Sequence, residues 1–456
     1  MKQQETIAAI ATAPGAAAVG IVRLSGSGAI ALAQRVFAAC SGKPLAALNG
    51  YTALLGTVRS GERILDEAIA YVYRAPKSYT GEDSVELCCH GGSYILRQVL
   101  QCCIDAGARP AFAGEFTKRA FLNGKMNLSQ AEAVCDLIAA QGEAARRTAL
   151  AAKNGALSTA VGRIVENLTG LSAHLAAWSD YPEEDLAPMD SVALADSLSD
   201  ILVNMQELIV SYDQGRLIRE GITTAIVGKP NVGKSTLMNL LTGTARSIVT
   251  DIPGTTRDVV EDVVRMGEYT LCLLDTAGIR HTEDPVEQVG VSLAKDRLRS
   301  AQLVLAVFDS SLPLDEQDQL LLALLGDVPC VAVVNKRDLL SALDLEELRK
   351  YISEIVEISA ISGEGRSELE ECILSLLKLD KLDPSAAVVA NERQHYCLLR
   401  ARDHLNEAVQ ALCAGVTLDA VNVCIDIALD ALLELTGERA SEKVVDQVFA
   451  RFCVGK

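Results

Sequence analysis

Residues 228–235, which read GKPNVGKS, constrain the fold of this chain more than any other segment. They match the pattern G-x-x-x-x-G-K-[ST] and lie between an apolar run at 222–227 and a helix-like segment at 236–241. Glycines in such a loop let backbone N–H groups surround phosphates, and the following helix N-terminus adds a favourable dipole. We therefore predict a strand, a phosphate-binding loop and a helix, although an ordinary glycine-rich turn would share the bare pattern.

Three further motifs follow this loop in order, each after an apolar run. They are residues 275–278 (DTAG), 335–338 (NKRD) and 359–361 (SAI). The first can hold a metal through water and contact a terminal phosphate, and the last can contact a base carbonyl. Asp338 can accept from guanine N1–H and from the amine at guanine C2, neither of which adenine has at those positions. Together the four motifs predict that the chain binds guanine nucleotides and that GTP is its substrate.

The motifs also identify candidate residues for phosphate binding, Mg²⁺ binding and catalysis. Lys234 is the candidate for the β- and γ-phosphates, and Ser235 is the candidate Mg²⁺ ligand. In Ras-like enzymes a glutamine after the Asp-x-x-Gly motif orients the attacking water, but Ile279 stands there and cannot hydrogen-bond water. The catalytic group must come from elsewhere, and the nearby candidates are Arg280, Glu283, Asp284 and Glu287.

The alternation of apolar runs and helical segments predicts the fold around the loop. Runs at 222–227, 270–275, 303–309, 330–334 and 355–358 are nearly all apolar, which is typical of a parallel sheet covered on both faces. Short β-type runs at 20–24, 53–58, 64–73 and 84–89 predict a mixed α/β module in the first 120 residues or so. Apolar residues at helical spacing follow from about Leu128, and helical sequence resumes after residue 384.

These patterns predict a multidomain α/β and all-α fold. An insertion needs its ends close together, so the two helical stretches are expected to pack as one domain that carries the α/β block as an insertion. The predicted ranges are 1–120 for the N-terminal module, 121–220 and 380–456 for the helical domain, and 221–379 for the nucleotide-binding domain.

Charge and cysteine usage exclude several classes of protein. The formal charge is −18 and no basic stripe is visible, so any RNA contact is expected to be local or shared with a partner. The 13 cysteines include no C-x-x-C pair, which favours free thiols in a reducing cytoplasm and disfavours zinc. No apolar run approaches the roughly 20 residues of a membrane span, so no stable membrane insertion is expected.

Asn231, residues 250–258 (TDIPGTTRD) and residues 452–456 (FCVGK) resemble the bacterial MnmE (TrmE) family, tRNA modification GTPases of the TrmE-Era-EngA-YihA-Septin-like group. The similarity covers essentially the whole chain. It implies a P-loop GTPase domain, Rossmann-like, inserted in a helical domain, and G domains that pair across a homodimer. It also implies that K⁺ takes the place of an arginine finger, with Asn231, Thr250, Ile252 and Thr255 as ligands and Thr256 closing on Mg²⁺.

The same resemblance places the water-orienting glutamate on Glu287 and a structural arginine on Arg280. Taken alone, Glu287 is an ordinary solvated carboxylate that opens a helix. The full candidate nucleotide set, from motifs and resemblance, is Asn231, Val232, Gly233, Lys234, Ser235, Thr236, Thr250, Asp251, Ile252, Pro253, Gly254, Thr255, Thr256, Asp275, Thr276, Ala277, Gly278, Asn335, Lys336, Asp338, Ser359, Ala360 and Ile361.

Residues 80–83, 90–92 and 114–125 match the family's N-terminal module, which resembles the folate-binding aminomethyltransferase fold and mediates dimerisation. The resemblance implies contacts to a tetrahydrofolate derivative, either the 5,10-methylene or the 5-formyl form, from Arg23, Glu86, Lys125 and Lys456. It makes Cys453 a thiol near the folate. By sequence pattern alone each of the four is an ordinary surface charge, and Cys453 is an accessible free thiol.

For function, the resemblance implies that GTP hydrolysis drives addition of a carboxymethylaminomethyl-type group to C5 of the wobble uridine, position 34, of certain tRNAs. The partner is the flavin-dependent protein MnmG (GidA), in a heterotetramer that contacts tRNA largely through MnmG. Two alternatives stay open: a ribosome-assembly switch with the same G-domain motifs, and a folate-dependent methyltransferase regulated by GTP. The first usually carries a basic RNA-binding module after the G domain, which is not seen here.

Overall fold

The computed structural model describes residues 5–180, 191–243, 260–274, 300–326 and 328–456. The chain divides into two compact units, which are described separately. The first comprises Met1–Cys135, Val161–Ser191 and Asp403–Lys456, and the second comprises Asp136–Ala160 and Val192–Arg402. The helices are α1 (Ala29–Val36), α2 (Ser93–Asp105), α3 (Glu115–Leu122), α4 (Leu128–Ala139), α5 (Glu143–Lys153), α6 (Ala156–Asp180), α7 (Ser191–Glu220), α8 (Lys234–Thr242), α9 (Glu316–Leu324), α10 (Leu345–Leu348), α11 (Arg366–Leu376), α12 (Glu392–Cys413), α13 (Leu418–Thr436) and α14 (Glu442–Phe449).

The first unit is built on a mainly antiparallel sheet. Its strands are β1 (Ile7–Ile10), β2 (Ala17–Ser25), β3 (Phe37–Ala39), β4 (Thr52–Ser60), β5 (Arg63–Tyr73), β6 (Ser84–Gly91) and β7 (Arg109–Pro110). Their order across the sheet is β3-β4-β5-β6-β2-β1-β7, and only the β1–β7 pair of this sheet is parallel. Inward residues such as Leu24, Val72 and Leu87 are buried with Ala33 of α1 and Val99 of α2. The strands predicted in this region are confirmed, and β1, β3 and β7 were not predicted.

Helical residues from distant parts of the chain meet in the first unit. Leu128 of α4 shares a buried cluster with Val445 and Phe449 of α14. The Ser129 hydroxyl donates to the Leu435 carbonyl at 3.0 Å, although the two residues are 306 positions apart. Contacts of this kind agree with the expected pairing of the helical stretches, while the domain ranges given above stay predictions.

The second unit contains the sheet that follows the phosphate-loop sequence. Its strands are β8 (Ile222–Val227), β9 (Val260–Met266), β10 (Tyr269–Leu274), β11 (Leu303–Asp309), β12 (Cys330–Asn335) and β13 (Glu354–Glu357), in the order β13-β12-β11-β8-β10-β9. Five of these six described strands are parallel as predicted, but β9 is antiparallel to β10. Strand β9 was not among the predicted strands, and it is antiparallel because β9 and β10 form a hairpin, whose short turn reverses the chain.

Strand β11 shows why these strands are apolar throughout. All seven of its residues are buried. Val304, Ala306 and Phe308 pack with Leu322 of α9 on one face, whereas Leu303, Leu305 and Val307 pack with Leu237 of α8 on the other. Because successive side chains point to opposite faces, a sheet covered on both faces needs an apolar residue at every position.

The apolar stripes predicted along the long helices lie in the core. Leu157, Val161, Ile164 and Leu168 of α6 are buried, as are Leu198 and Met205 of α7. Within the residues that the structure describes, no helix combines the length and apolarity needed to cross a bilayer.

Candidate functional site

The phosphate-loop sequence lies between β8 and α8, as predicted. Three of its residues have left-handed backbone angles: φ is 149° at Gly228, 66° at Asn231 and 100° at Gly233. A side chain at Gly228 would place its Cβ 2.4 Å from the Val307 carbonyl oxygen, so only glycine fits against β11 there. The loop thus turns sharply from the sheet into the N-terminus of α8, where free N–H groups favour an anion.

Lys234 is the first residue of α8 and folds back over the loop. Its Nζ donates to the Gly228 carbonyl at 2.7 Å and also to the Lys229 carbonyl. Burial lowers the pKa of Lys234, so its charge is held in a poorly solvated position. Among the described residues its hydrogen-bond partners are neutral carbonyls, so this ammonium has much to gain from an anionic phosphate.

Asn335 joins the phosphate loop to residues 359–361, the predicted base-recognition segment. Its Nδ2 donates to the Val232 carbonyl at 2.9 Å, and its Oδ1 accepts from the Ala360 amide at 2.9 Å. A Cβ at Gly233 would lie 2.1 Å from Asn335 Nδ2, so this approach requires glycine. One buried amide therefore fixes two separate loops relative to each other.

Lys336 has a left-handed φ of 64° and is held by a carboxylate that the motifs did not identify. Its Nζ donates to Asp309 Oδ2 at 2.5 Å. Burial would raise the pKa of Asp309, but hydrogen bonds from Lys336 and Ser311 outweigh it and lower that pKa. The sequence signal for Asp309 is an acid that ends a wholly apolar strand, which places it at the carboxyl edge of the sheet.

Asp338 and Ser359 meet at the same edge. The Ser359 hydroxyl donates to Asp338 Oδ1 at 2.6 Å, and the Arg337 amide donates to the Ile358 carbonyl at 3.0 Å. Ser359 and Ala360 are buried, whereas the Ile361 side chain is 83% exposed. The structure thus brings together the 228–235, 335–338 and 359–361 motifs, and the Ile361 side chain does not pack in the core.

Ser235 and Thr236 lie in the first turn of α8, and the Ser235 side chain is exposed. Many other predicted residues lie outside the described residues: Thr250, Asp251, Ile252, Pro253, Gly254, Thr255, Thr256, Asp275, Thr276, Ala277, Gly278, Arg280, Glu283, Asp284 and Glu287. Their predicted roles stay predictions.

A second set of predicted residues meets in the first unit. Arg23 Nε lies 2.8 Å from Glu86 Oε1, and each side chain is 17% exposed. The two residues are opposite each other on β2 and β6. The Arg23 guanidinium also lies 5.6 Å from the ring centres of Tyr79 and Phe116. The resemblance had not indicated these two rings, and nothing in their spacing marks them.

The residues 452–456 approach this ion pair from the far end of the chain. Arg23 Nη1 donates to the Gly455 carbonyl at 3.3 Å, and the Phe116 amide donates to a Lys456 main-chain oxygen at 3.2 Å. A Cβ at Gly455, where φ is 99°, would lie 2.3 Å from the Ile10 carbonyl oxygen. The main chain of Gly455 and Lys456 therefore lies beside Arg23 and Phe116, and Cys453, two residues before Gly455, is exposed.

Lys125 reaches the same region through a loop. Its Nζ donates to the Pro76 carbonyl at 3.1 Å, and Tyr79 of this loop lies against Arg23. The Tyr79 hydroxyl is hydrogen-bonded to that of Thr117 on α3 at 2.9 Å. The four residues predicted to contact folate thus lie near the loop that holds Pro76 and Tyr79, on the β2–β6 strand pair and at residues 455–456.

Comparison with known proteins covers the whole chain. A family model described as the MnmE helical domain matches residues 128–453, and one described as GTP-binding protein TrmE N-terminus matches residues 6–125. The tRNA modification GTPase MnmE of Symbiobacterium thermophilum is 44% identical over 99% of this chain and 100% of that protein. The protein of the same name from Clostridioides difficile is 40% identical over 99% of each chain, and that of a Synechococcus species is 44% identical over 99% of this chain and 98% of its own.

Proposed function

The chain belongs to the MnmE family of tRNA modification GTPases and is a GTP hydrolase, and from this premise we propose the reaction that it serves. Potassium-stimulated GTP hydrolysis drives a conformational change in the addition of a carboxymethylaminomethyl-type group to C5 of the wobble uridine, position 34, of certain tRNAs. A flavin-dependent partner of the MnmG type takes part in this modification.

The observation that supports GTP as the substrate is the double hydrogen bond of Asn335. By holding Val232 and Ala360 together, it keeps the phosphate loop and the base-recognition segment at a fixed separation. Asp338, oriented by Ser359, offers the carboxylate that guanine N1–H and the amine require. A site prepared in this way selects a nucleotide by its base and by its phosphates together.

The chain's own residues have distinct roles toward GTP. Lys234 exchanges its loop carbonyls for phosphate oxygens, and the N-terminus of α8 donates N–H groups to the same phosphates. The Ser235 hydroxyl, exposed in the first turn of α8, is suited to an oxygen-ligated Mg²⁺. When bound, Mg²⁺ neutralises charge on the phosphates.

Asn231 is the described residue proposed to bind K⁺. It is exposed and has a left-handed backbone, which presents an amide oxygen at the phosphate loop. A monovalent cation there offsets the negative charge that develops during phosphoryl transfer. Turnover measured in KCl is therefore expected to exceed turnover in NaCl at equal ionic strength, and equal rates would contradict the potassium proposal.

The set around Arg23 fits a folate. Glu86 can accept from the N–H edge of a pterin, and Arg23, Lys125 and Lys456 supply positive charge for a glutamyl tail. Tyr79 and Phe116 add flat apolar surface beside the ion pair. When bound, the folate supplies a one-carbon unit, and we propose the 5,10-methylene form for the reaction and the stable 5-formyl form as a binding probe.

We further propose that the protein is a homodimer and that it meets tRNA largely through MnmG in a heterotetramer. The formal charge of −18 supports this division, because phosphate contacts need a basic surface. Tight tRNA binding by the isolated protein with a steep salt dependence would contradict it.

The decisive experiment compares tRNA from a deletion strain with tRNA from the same strain complemented with this chain. Loss of the wobble-uridine group on deletion and its return on complementation are expected. Unchanged tRNA together with a ribosome-subunit defect would instead support the ribosome-assembly alternative.

A further inference from the structure

Lys229, the second residue of the phosphate loop, is bonded to a helix outside the motifs. Its Nζ lies 2.7 Å from Asp315 Oδ2 and 2.6 Å from Asp318 Oδ2. The lysine side chain is 13% exposed and that of Asp318 only 3%, so the lysine–Asp318 contact is sheltered from water. Such charge-assisted contacts are stronger than neutral hydrogen bonds.

The two carboxylates are fixed in place by α9 itself. Asp315 caps the helix by accepting from the Gln317 and Asp318 amides, and Asp318 Oδ2 accepts from the Asp315 amide. This reciprocal capping box orients both side chains. Asp318 Oδ1 is buried without a hydrogen-bond partner among the described residues, which makes the single lysine contact more important for that carboxylate.

Lys229 is also bonded through its backbone. Its carbonyl accepts from Lys234, the lysine expected to contact the phosphates. Two residues further on, Asn231 holds a left-handed conformation that is unfavourable for a residue other than glycine. A loop with this conformation persists only where its surroundings fix it, and the side chain of Lys229 is one such attachment.

We propose that Lys229 is a positioning residue for nucleotide binding, whose side chain anchors the phosphate-binding loop to the N-terminus of α9 and slows nucleotide release. Lys229 acts through the loop and not on the reacting atoms, since its ammonium is occupied by Asp315 and Asp318. Its loss therefore weakens binding of GTP and GDP more than it changes the chemical step. The proposal rests on the GTP hydrolase activity and not on the role in tRNA modification.

The test measures release of a fluorescent GDP analogue from the full-length protein in stopped flow, with KM and kcat for GTP. Lys229→Met is expected to release the analogue roughly tenfold faster and to raise KM by a similar factor, with kcat changed by less than about twofold. Lys229→Arg keeps the charge and is expected to restore release to within about threefold of the original rate. Lys350→Met, on an exposed lysine of the same unit, is the matched control and should change nothing.

Unchanged release in Lys229→Met, or a fall in kcat at unchanged KM, would overturn the proposal. If Lys229→Met fails to fold, Asp315→Asn provides the second variant, because asparagine keeps the helix cap but weakens the ion pair. That variant is expected to release nucleotide about threefold faster, since the exposed Asp315 contributes less than Asp318. Release at the original rate in Asp315→Asn would then refute the anchor.

Discussion

The hydroxyl of Ser359 donates a 2.6 Å hydrogen bond to Oδ1 of Asp338. The two residues come from different loops, 21 positions apart, and the bond fixes the carboxylate that is predicted to bind the base. If Asp338 binds guanine, as we propose, the orientation of its carboxylate depends on the Ser359 hydroxyl.

Replacing Asp338 by Asn is expected to reverse the base preference. An amide can accept from N1–H but donates toward position 2, where guanine carries an amine and xanthine an oxygen. KM for GTP should rise at least tenfold while xanthosine triphosphate becomes a substrate, because the hydrogen bond to the amine at position 2, worth roughly 1.5 kcal/mol or more with a charged acceptor, is lost. An unchanged ratio of kcat/KM for the two nucleotides would contradict the assignment.

Ser359→Ala tests the orienting bond by itself. It removes one hydrogen bond to a charged group, so KM for GTP is expected to rise about tenfold with the base preference retained. Ser362→Ala is the control in the same turn, because its hydroxyl does not contact Asp338 in the described structure. Equal KM values for both variants would mean that the Ser359 bond does not position Asp338.

Asn335 is expected to be the costliest polar residue of the site to replace. Asn335→Ala leaves the Val232 carbonyl and the Ala360 amide without their buried partner, at a cost of about 2–4 kcal/mol. The thermal unfolding temperature and the affinity for GDP should both fall. Asn239→Ala, at an exposed asparagine of α8, should alter neither, and equal behaviour of the two variants would refute the bridging role.

The features of this nucleotide site that the sequence predicts are formed by residues close together in the chain. The features that it does not predict are contacts between residues far apart in the chain. The strand, loop and helix around residues 228–235 follow from apolar spacing and glycine placement, and each strand predicted in the second unit is present. The bond from Asn335 to Val232 spans 103 positions and depends on which strands are neighbours, which periodicity does not encode. The same is true of β9, whose antiparallel pairing follows from a hairpin at Gly267.

The residues predicted to contact folate show more clearly what the sequence alone does not predict. No pattern relates Arg23 to Gly455, which are 432 positions apart, yet they are hydrogen-bonded. Resemblance to a family supplied the residues, and the structure supplied their proximity. The spacing of Asp315 and Asp318 indicates a capping box, because an N-cap residue and an acid three positions later can cap a helix reciprocally. Nothing in the sequence, however, indicates that these two residues contact Lys229.

Asn231 allows the backbone and the proposed cation ligand to be separated. Asn231→Gly keeps the left-handed φ of 66° but removes the amide, whereas Asn231→Ala loses the amide and strains the backbone. If the amide binds K⁺, both variants lose the difference between KCl and NaCl turnover, and only the alanine variant also loses GDP affinity. Retained potassium stimulation in the glycine variant would show that the amide is not a ligand.

A buried ion cluster in the first unit predicts a pH dependence of stability. Burial alone would raise the pKa of Glu115, but hydrogen bonds from Arg109, the Phe112 amide and Arg119 outweigh it and hold that pKa below 4.5. A lowered folded-state pKa adds stability that is fully present above pH 4.5 and is lost as pH falls through the lower folded value. Glu115→Gln is expected to cost about 3 kcal/mol at pH 7, because Arg109 and buried Arg119 lose their shared partner.

Denaturant unfolding at several pH values checks this. The difference in free energy of unfolding between the original protein and Glu115→Gln should be constant above pH 5. It should become smaller below pH 4.5, because the lowered pKa of Glu115 makes the original protein lose stability there. Glu143→Gln is the matched control, since Glu143 also pairs with an arginine but is exposed. If the difference in free energy of unfolding does not change with pH, the charge of Glu115 is not what stabilises the cluster.

Substitutions of Arg23 and Glu86 can distinguish a ligand site from a purely structural ion pair. Arg23→Met and Glu86→Gln are each expected to weaken calorimetric binding of 5-formyltetrahydrofolate about tenfold, because each removes a charged hydrogen-bonding group. Since the two side chains are bonded to each other, the double variant should lose less than the sum of the single losses. Arg97→Met, at an exposed arginine of α2, is the control and should bind normally. If the single variants unfold at lower temperature yet bind the folate as before, the pair serves only to hold the 452–456 segment through Gly455, and the ligand lies elsewhere.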